Sequence, residues 1–192
     1  MPPLIALTDN FATADSSKWA INTNCTVTAG QLVITPDSSY DAYYANNGYD
    51  LTGKGALVQV LEAPSNPTSP GASEAVFGLA AQTSGDTFEC LFQSDGNVLA
   101  RERVGGSYNS GFSIAWPGPV WLRIWESGGT VHWDYSPDGL WWTNLWSISW
   151  TVSAITAMHP FFNAGYYAGS PSGTATFDNF NLPLVPFAWF KA

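Results

Sequence analysis

From Val120 to Thr143 the chain reads VWLRIWESGGTVHWDYSPDGLWWT, and its side chains alternate at a period of two, which no helix can satisfy. Val120, Leu122 and Ile124 interleave with Trp121, Arg123 and Trp125; after Gly128-Gly129, Val131, Trp133 and Tyr135 interleave with His132 and Asp134. A glycine pair between two such runs predicts a two-residue hairpin turn with positive φ. That turn sets the register: Ile124 opposite Trp133 and Leu122 opposite Tyr135 on a core face, Trp125 opposite His132 and Arg123 opposite Asp134 on an outward face. Ser136-Pro137-Asp138-Gly139 then reverses the chain again, and Leu140-Trp141-Trp142 is expected to open the next strand. Glu126 is read as part of the turn.

The rest of the chain repeats this grammar. Short strand-like runs are split by Gly, Pro, Asn and Ser, and no helical period lasts a dozen residues. Residues 8–11 read as a first edge strand, and 25–28 with 31–35 as a hairpin around Ala29-Gly30. Residues 41–46 and 55–61 follow. A meander then runs through 74–82, 87–93, 98–104 and 111–116, which the hairpin is expected to continue, with the last strands at 146–152, 160–167 and 173–182. Asp9-Asn10-Phe11 returns as Asp178-Asn179-Phe180, which predicts that the two chain ends pair and close one sheet. About a dozen strands without a covering helix predict an all-β, two-sheet antiparallel sandwich of jelly-roll type.

Composition allows such a core. Of 192 residues, 45% are hydrophobic and 15% aromatic, with ten Trp, so one domain can bury ample area without staples. The formal charge of −9, with six Lys plus Arg, excludes nucleic acid and anionic membrane as partners, since both need clustered positive charge. No apolar run approaches the ~20 residues of a membrane span. The start, MPPLIALTDNF, has no signal-peptide pattern, which implies synthesis and release in a cytoplasm. Cys90 lies between Phe88 and Phe92 on its own face and reads as a buried free thiol, a disulfide with Cys25 being the other option.

The order of the DNF strand, the GLAAQTSGDTFECLFQSDGNVLARERVGG meander, the PGPVWLRIWESGGTVHWDYSPDGLWW hairpin and the closing ATFDNFNL strand resembles the concanavalin A-like lectin/glucanase superfamily, in its laminin-G-like, non-catalytic branch. The resemblance covers residues 7–184. It implies a sandwich over 1–184 followed by an apolar tail, 185–192, docked on the sandwich or a neighbouring subunit. It further implies a non-enzymatic bacteriophage virion-surface protein, tail-associated or capsid-decorating. Its expected partners are other virion proteins or further copies of itself, together with host cell-surface glycans. A free lectin-like protein and a glycan-active hydrolase are the alternatives.

Hydrolysis of glycans needs two carboxylates at a set distance. The superfamily's glucanases carry them as Glu-x-Asp-x-Glu on one strand, a spacing this chain lacks. Glu74, Glu89 and Glu102 lie singly on separate meander strands, and neighbouring strands can bring Glu89 beside either of the others. The candidate carbohydrate surface is the outward hairpin face, Trp121, Arg123, Trp125, His132 and Asp134, which offers aromatic planes and fixed polar groups; the same residues also suit a packed, paired surface. No cofactor is expected, apart from calcium, for which Asp9 and Asp178 are the candidate ligands, joined by Asp37 or Asp41; both can equally cap turns. His132 and His159 have no zinc-site spacing. Leu184, Val185, Phe187, Trp189 and Phe190 form the candidate assembly interface.

Overall fold

The computed structural model describes residues 1–20, 24–38, 40, 42–115, 118–150 and 154–182. Its strands, in chain order, are β1 (Trp19–Ala20), β2 (Cys25–Thr28), β3 (Gln31–Ile34), β4 (Ala42–Ala45), β5 (Gly55–Glu62), β6 (Ser73–Ala81), β7 (Thr87–Gln93), β8 (Asn97–Val104), β9 (Ser107–Ala115), β10 (Val120–Ser127), β11 (Thr130–Ser136), β12 (Thr143–Ser149), β13 (Met158–Tyr166) and β14 (Ala175–Asp178). They form two seven-stranded antiparallel sheets, a front sheet in the order β1-β4-β13-β6-β7-β8-β9 and a back sheet in the order β12-β11-β10-β5-β14-β3-β2. Single helical turns at Leu4–Ala6 and Ile155–Ala157 are the only helical elements among the described residues.

The β10–β11 hairpin has the register its sequence dictates: Leu122 faces Tyr135, Arg123 faces Asp134, Ile124 faces Trp133 and Trp125 faces His132. Gly128 and Gly129 take φ values of 59° and 83°, the left-handed region that glycine enters without steric cost. Leu122, Ile124, Val131 and Trp133 are fully buried between the sheets. There they meet the inward set of the front sheet, Ala75, Phe77 and Leu79 from β6 with Phe88, Cys90 and Phe92 from β7. Cys25 and Cys90 are both buried, and they do not form a disulfide with each other.

Three expectations need correction. The hairpin does not continue the meander: β9 ends the front sheet, and β10 pairs with β5 in the back sheet. β9 ends at Ala115 and β10 begins at Val120, and the sequence between them carries two prolines, which have no N–H to give a ladder. The chain ends do meet, but through one bridge, Asp9 to Phe180, rather than two strands. Leu140, Trp141 and Trp142 precede β12 instead of opening it, and Asp138 holds the turn by accepting the Leu140 and Trp141 amides.

Candidate functional site

Where the inward side chains of β6 and β7 build the core, the intervening ones face outward. Glu74, Val76, Gly78 and Ala80 on β6 lie beside Thr87, Glu89 and Leu91 on β7, with Arg101 and Arg103 on β8 and Phe161 and Asn163 on β13. All of these but Gly78 and Leu91 line a cleft of about 610 Å³, walled by Tyr40, Tyr44, Tyr108 and Tyr167. Val76, Leu91 and Phe161 form a small apolar cluster on its floor. Two glycines make room for the aromatic walls. A Cβ on Gly78 would stand 2.4 Å from the Phe161 ring, and one on Gly165 would stand 2.4 Å from the Tyr40 ring. Tyr40 is itself held at a left-handed φ of 57°, a conformation that a bulky side chain adopts only under constraint. Gly165→Ala is therefore expected to cost about 1–3 kcal/mol in denaturant unfolding as Tyr40 is driven from the wall; an unchanged midpoint would show that the ring moves freely.

Two carboxylates stand in this cleft. Glu89 is 6% exposed; its Oε1 accepts the Thr87 hydroxyl at 2.6 Å, and its Oε2 accepts Arg101 Nε and Nη2 at 2.8 and 2.5 Å. Glu74 is 8% exposed and its Oε1 accepts Gln93 Nε2 at 3.4 Å. Burial pushes the Glu74 carboxyl above the ordinary glutamate value; Arg101 and Gln93 pull it partly back, and the Glu89 charge adds to the rise. In register Glu89 faces Gly78 while Glu74 faces Gln93, so the two are offset by four residues along neighbouring strands, roughly 13 Å at the backbone. Glu-x-Asp-x-Glu spaces its outer carboxylates by the same four residues on a single strand. Glu102, the other possible neighbour of Glu89, faces Phe88 on the inward side and is 2% exposed. Desolvation also pushes the Tyr40 phenol up to about 12, with the Glu74 charge adding to it.

The outward hairpin face is a closed hydrogen-bond network. Asp134, 4% exposed, accepts four hydrogen bonds, from Arg123 Nε and Nη2 at 3.0 and 2.6 Å, Trp125 Nε1 at 2.6 Å and Asn144 Nδ2 at 2.9 Å. His132 stacks on Trp125 at 4.2 Å and its Nδ1 meets the Ser147 hydroxyl at 2.8 Å, while Trp121 is 6% exposed. Asp134→Ala strands these donors and is expected to cost about 1–3 kcal/mol, read as a lower unfolding midpoint; no change would mean that solvent replaces the network. Glu126 is a buried β10 residue rather than part of the turn, and it accepts the amides of Gly53 and Gly129 at 2.6 and 2.7 Å.

Asp9 accepts the Phe11 amide and Trp19 Nε1, both at 2.7 Å, with Lys18 at 4.0 Å. Asp178 accepts the Asn179 amide at 2.6 Å, and burial raises its carboxyl. Asp37 accepts Asn24 Nδ2, and Asp41 lies outside the described residues. Among the described residues no group of three His, Cys, Asp or Glu side chains is arranged to hold a metal ion. Leu184, Val185, Phe187, Trp189 and Phe190 also lie outside the described residues.

No protein-family model matches this chain, and no curated protein does. Solved structures do. A Bacillus licheniformis beta-glucanase matches with a TM-score of 0.68 at 10% identity, over 91% of this chain and 95% of its own. A laminarinase from a Flavobacterium species matches at 0.66 and 9%, over 91% and 97%. A beta-1,3-1,4-glucanase derived from a mouse hindgut metagenome matches at 0.65 and 13%, over 91% and 96%. The fold is a concanavalin A-like jelly roll. At these identities the likeness establishes fold alone. It nonetheless corrects the reading as a non-enzymatic virion-surface protein of the non-catalytic branch. The three structures named match from end to end and are glucanases and a laminarinase, and the virion, tail and capsid roles find no support in them.

Proposed function

We propose that this chain is a glycan-active hydrolase that binds a polysaccharide across β13, β6, β7 and β8. The observation that carries this is the pair of buried carboxylates, Glu74 and Glu89, in one aromatic-walled cleft. Sugar rings present apolar faces that stack on aromatic planes, and Tyr44, Tyr108 and Tyr167 are 42%, 57% and 68% exposed at the rim. Two carboxyls in unlike surroundings divide the work of hydrolysis. Glu74, raised by burial, keeps its proton to higher pH and delivers it to the departing glycosidic oxygen. Glu89, fixed by Arg101 and Thr87, is the carboxylate that attacks the anomeric carbon or takes a proton from the attacking water. The glycosidic bond breaks and water supplies the new hydroxyl and hydrogen. The stereochemistry of the product, followed by NMR, reports which route operates, since the first retains and the second inverts the anomeric centre.

The test is reducing-end release from a panel of soluble polysaccharides by the parent and by Glu89→Gln. Release by the parent, reduced by about 10²–10⁴-fold in a folded variant, supports the assignment. No release from any glycan, or equal rates from the two proteins, overturns it; binding without release would make the cleft a recognition site only.

A further inference from the structure

We infer that the cleft is built for a polysaccharide bearing anionic groups, with Arg103 as the residue that takes the acidic substituent; this rests on the cleft being the glycan site. The chain carries fifteen acidic residues against six Lys plus Arg, so a guanidinium here has abundant internal partners. Arg101 pairs with Glu89 and Arg123 with Asp134, while Lys18 sits near Asp9 and Asp15. Arg103 lines the cleft yet makes no ion pair among the described residues, and its buried Nε has no hydrogen-bond partner. Thr87, its cross-strand neighbour, turns its hydroxyl to Glu89 instead. The Tyr108 ring, 57% exposed, lies 5.3 Å from the Arg103 guanidinium and 4.2 Å from that of Arg101.

A buried donor left without an acceptor is costly, and Arg103 Nε is such a donor on a half-buried side chain. Neutral glucan hydroxyls can accept its hydrogen bonds but leave the charge uncompensated. A uronate carboxylate or a sulfate ester does both, through the paired N–H edge that Arg101 already shows toward Glu89. Across the cleft, Asn163 Oδ1 is a buried acceptor without a partner. It lies on β13, three strand spacings or roughly 14 Å from β8, and suits a hydroxyl of a neighbouring sugar on the same chain.

Isothermal titration of the whole protein with three oligosaccharides tests this: a neutral β-glucan, an oligouronate and a sulfated galactan, at low and at physiological salt. Parent, Arg103→Gln, Arg103→Lys and Phe161→Ala are compared. An anionic oligosaccharide is expected to bind tightest, and the better of the two identifies carboxylate or sulfate. Arg103→Gln should weaken it by about 10–100-fold and flatten its salt dependence, whereas Arg103→Lys retains part of the affinity. Should Arg103→Gln not fold, the salt dependence of the parent and the Lys variant carry the same test. If the neutral glucan binds at least as tightly, Arg103→Gln changes nothing and Phe161→Ala weakens binding, the anionic subsite is refuted and the cleft stands. Binding indifferent to Phe161→Ala as well, or absent throughout, would refute the cleft reading and the subsite with it.

Discussion

Glu74→Gln is expected to lower glycan turnover by about 10²–10⁴-fold and at the same time to leave the protein as stable as before, or more so, at neutral pH. The two effects share one cause. Burial disfavours the charged form of Glu74, so the folded state holds this proton more tightly than the unfolded state does. Below the ordinary glutamate value both states are protonated and the group contributes nothing to pH dependence. As pH rises from there through the raised value, the unfolded chain releases the proton first, and stability falls across that window. Glutamine carries no charge to desolvate and escapes the loss. In catalysis the same shift is an asset, because an acid that keeps its proton can still deliver it to the leaving oxygen. The parent should therefore lose activity as pH climbs through the raised Glu74 value, and the variant's residual rate should lack that basic limb. Denaturant midpoints measured either side of the window, beside pH–rate profiles, check both halves. A Gln variant with the parent's rate and profile would remove Glu74 from the acid role.

How much of this was legible in the sequence depended on distance along the chain. The β10–β11 register followed from two glycines and a period of two, because a tight turn leaves the pairing no freedom. The inward triplet Phe88, Cys90 and Phe92 was legible for the same reason. By the same logic the Glu89–Arg101 pair lay within reach, since the turn at Asp95-Gly96 joins their strands and Gln93 faces Asn97. What no local rule supplies is the neighbour of a strand that returns from far along the chain. That β13 lies between β4 and β6, which brings Phe161 over Gly78 and Tyr40 over Gly165, depends on contacts between residues far apart in sequence. Trp19–Ala20 went unread as a strand because two residues carry no period. Asp9 reads from sequence as a candidate calcium ligand or a turn cap; its bond to the Phe11 amide is local, but its bond from the Trp19 indole emerges only in three dimensions.

Trp133→Ala should be the most damaging single change in the back sheet, costing about 3–5 kcal/mol, because the side chain is fully buried and nothing nearby can collapse to fill so large a space. Its ring meets Phe88 edge-on at 5.7 Å and Trp146 at 4.8 Å. Its indole N–H crosses the core to donate to the Glu89 backbone carbonyl at 3.0 Å, so the hairpin that organises the back sheet also holds the front-sheet strand bearing a cleft carboxylate. Trp133→Phe separates the two contributions: it keeps an aromatic ring and loses the donor, with an expected cost of about 1–3 kcal/mol. If the hydrogen bond positions β7, the Phe variant should lower kcat while KM stays near that of the parent, since Glu89 is displaced from the reacting atoms while the sugar-binding walls remain. Equal stability in the Phe variant and the parent would mean that the indole serves as filler alone. The position of Glu89 would then be set by Arg101 and Thr87 from within the cleft.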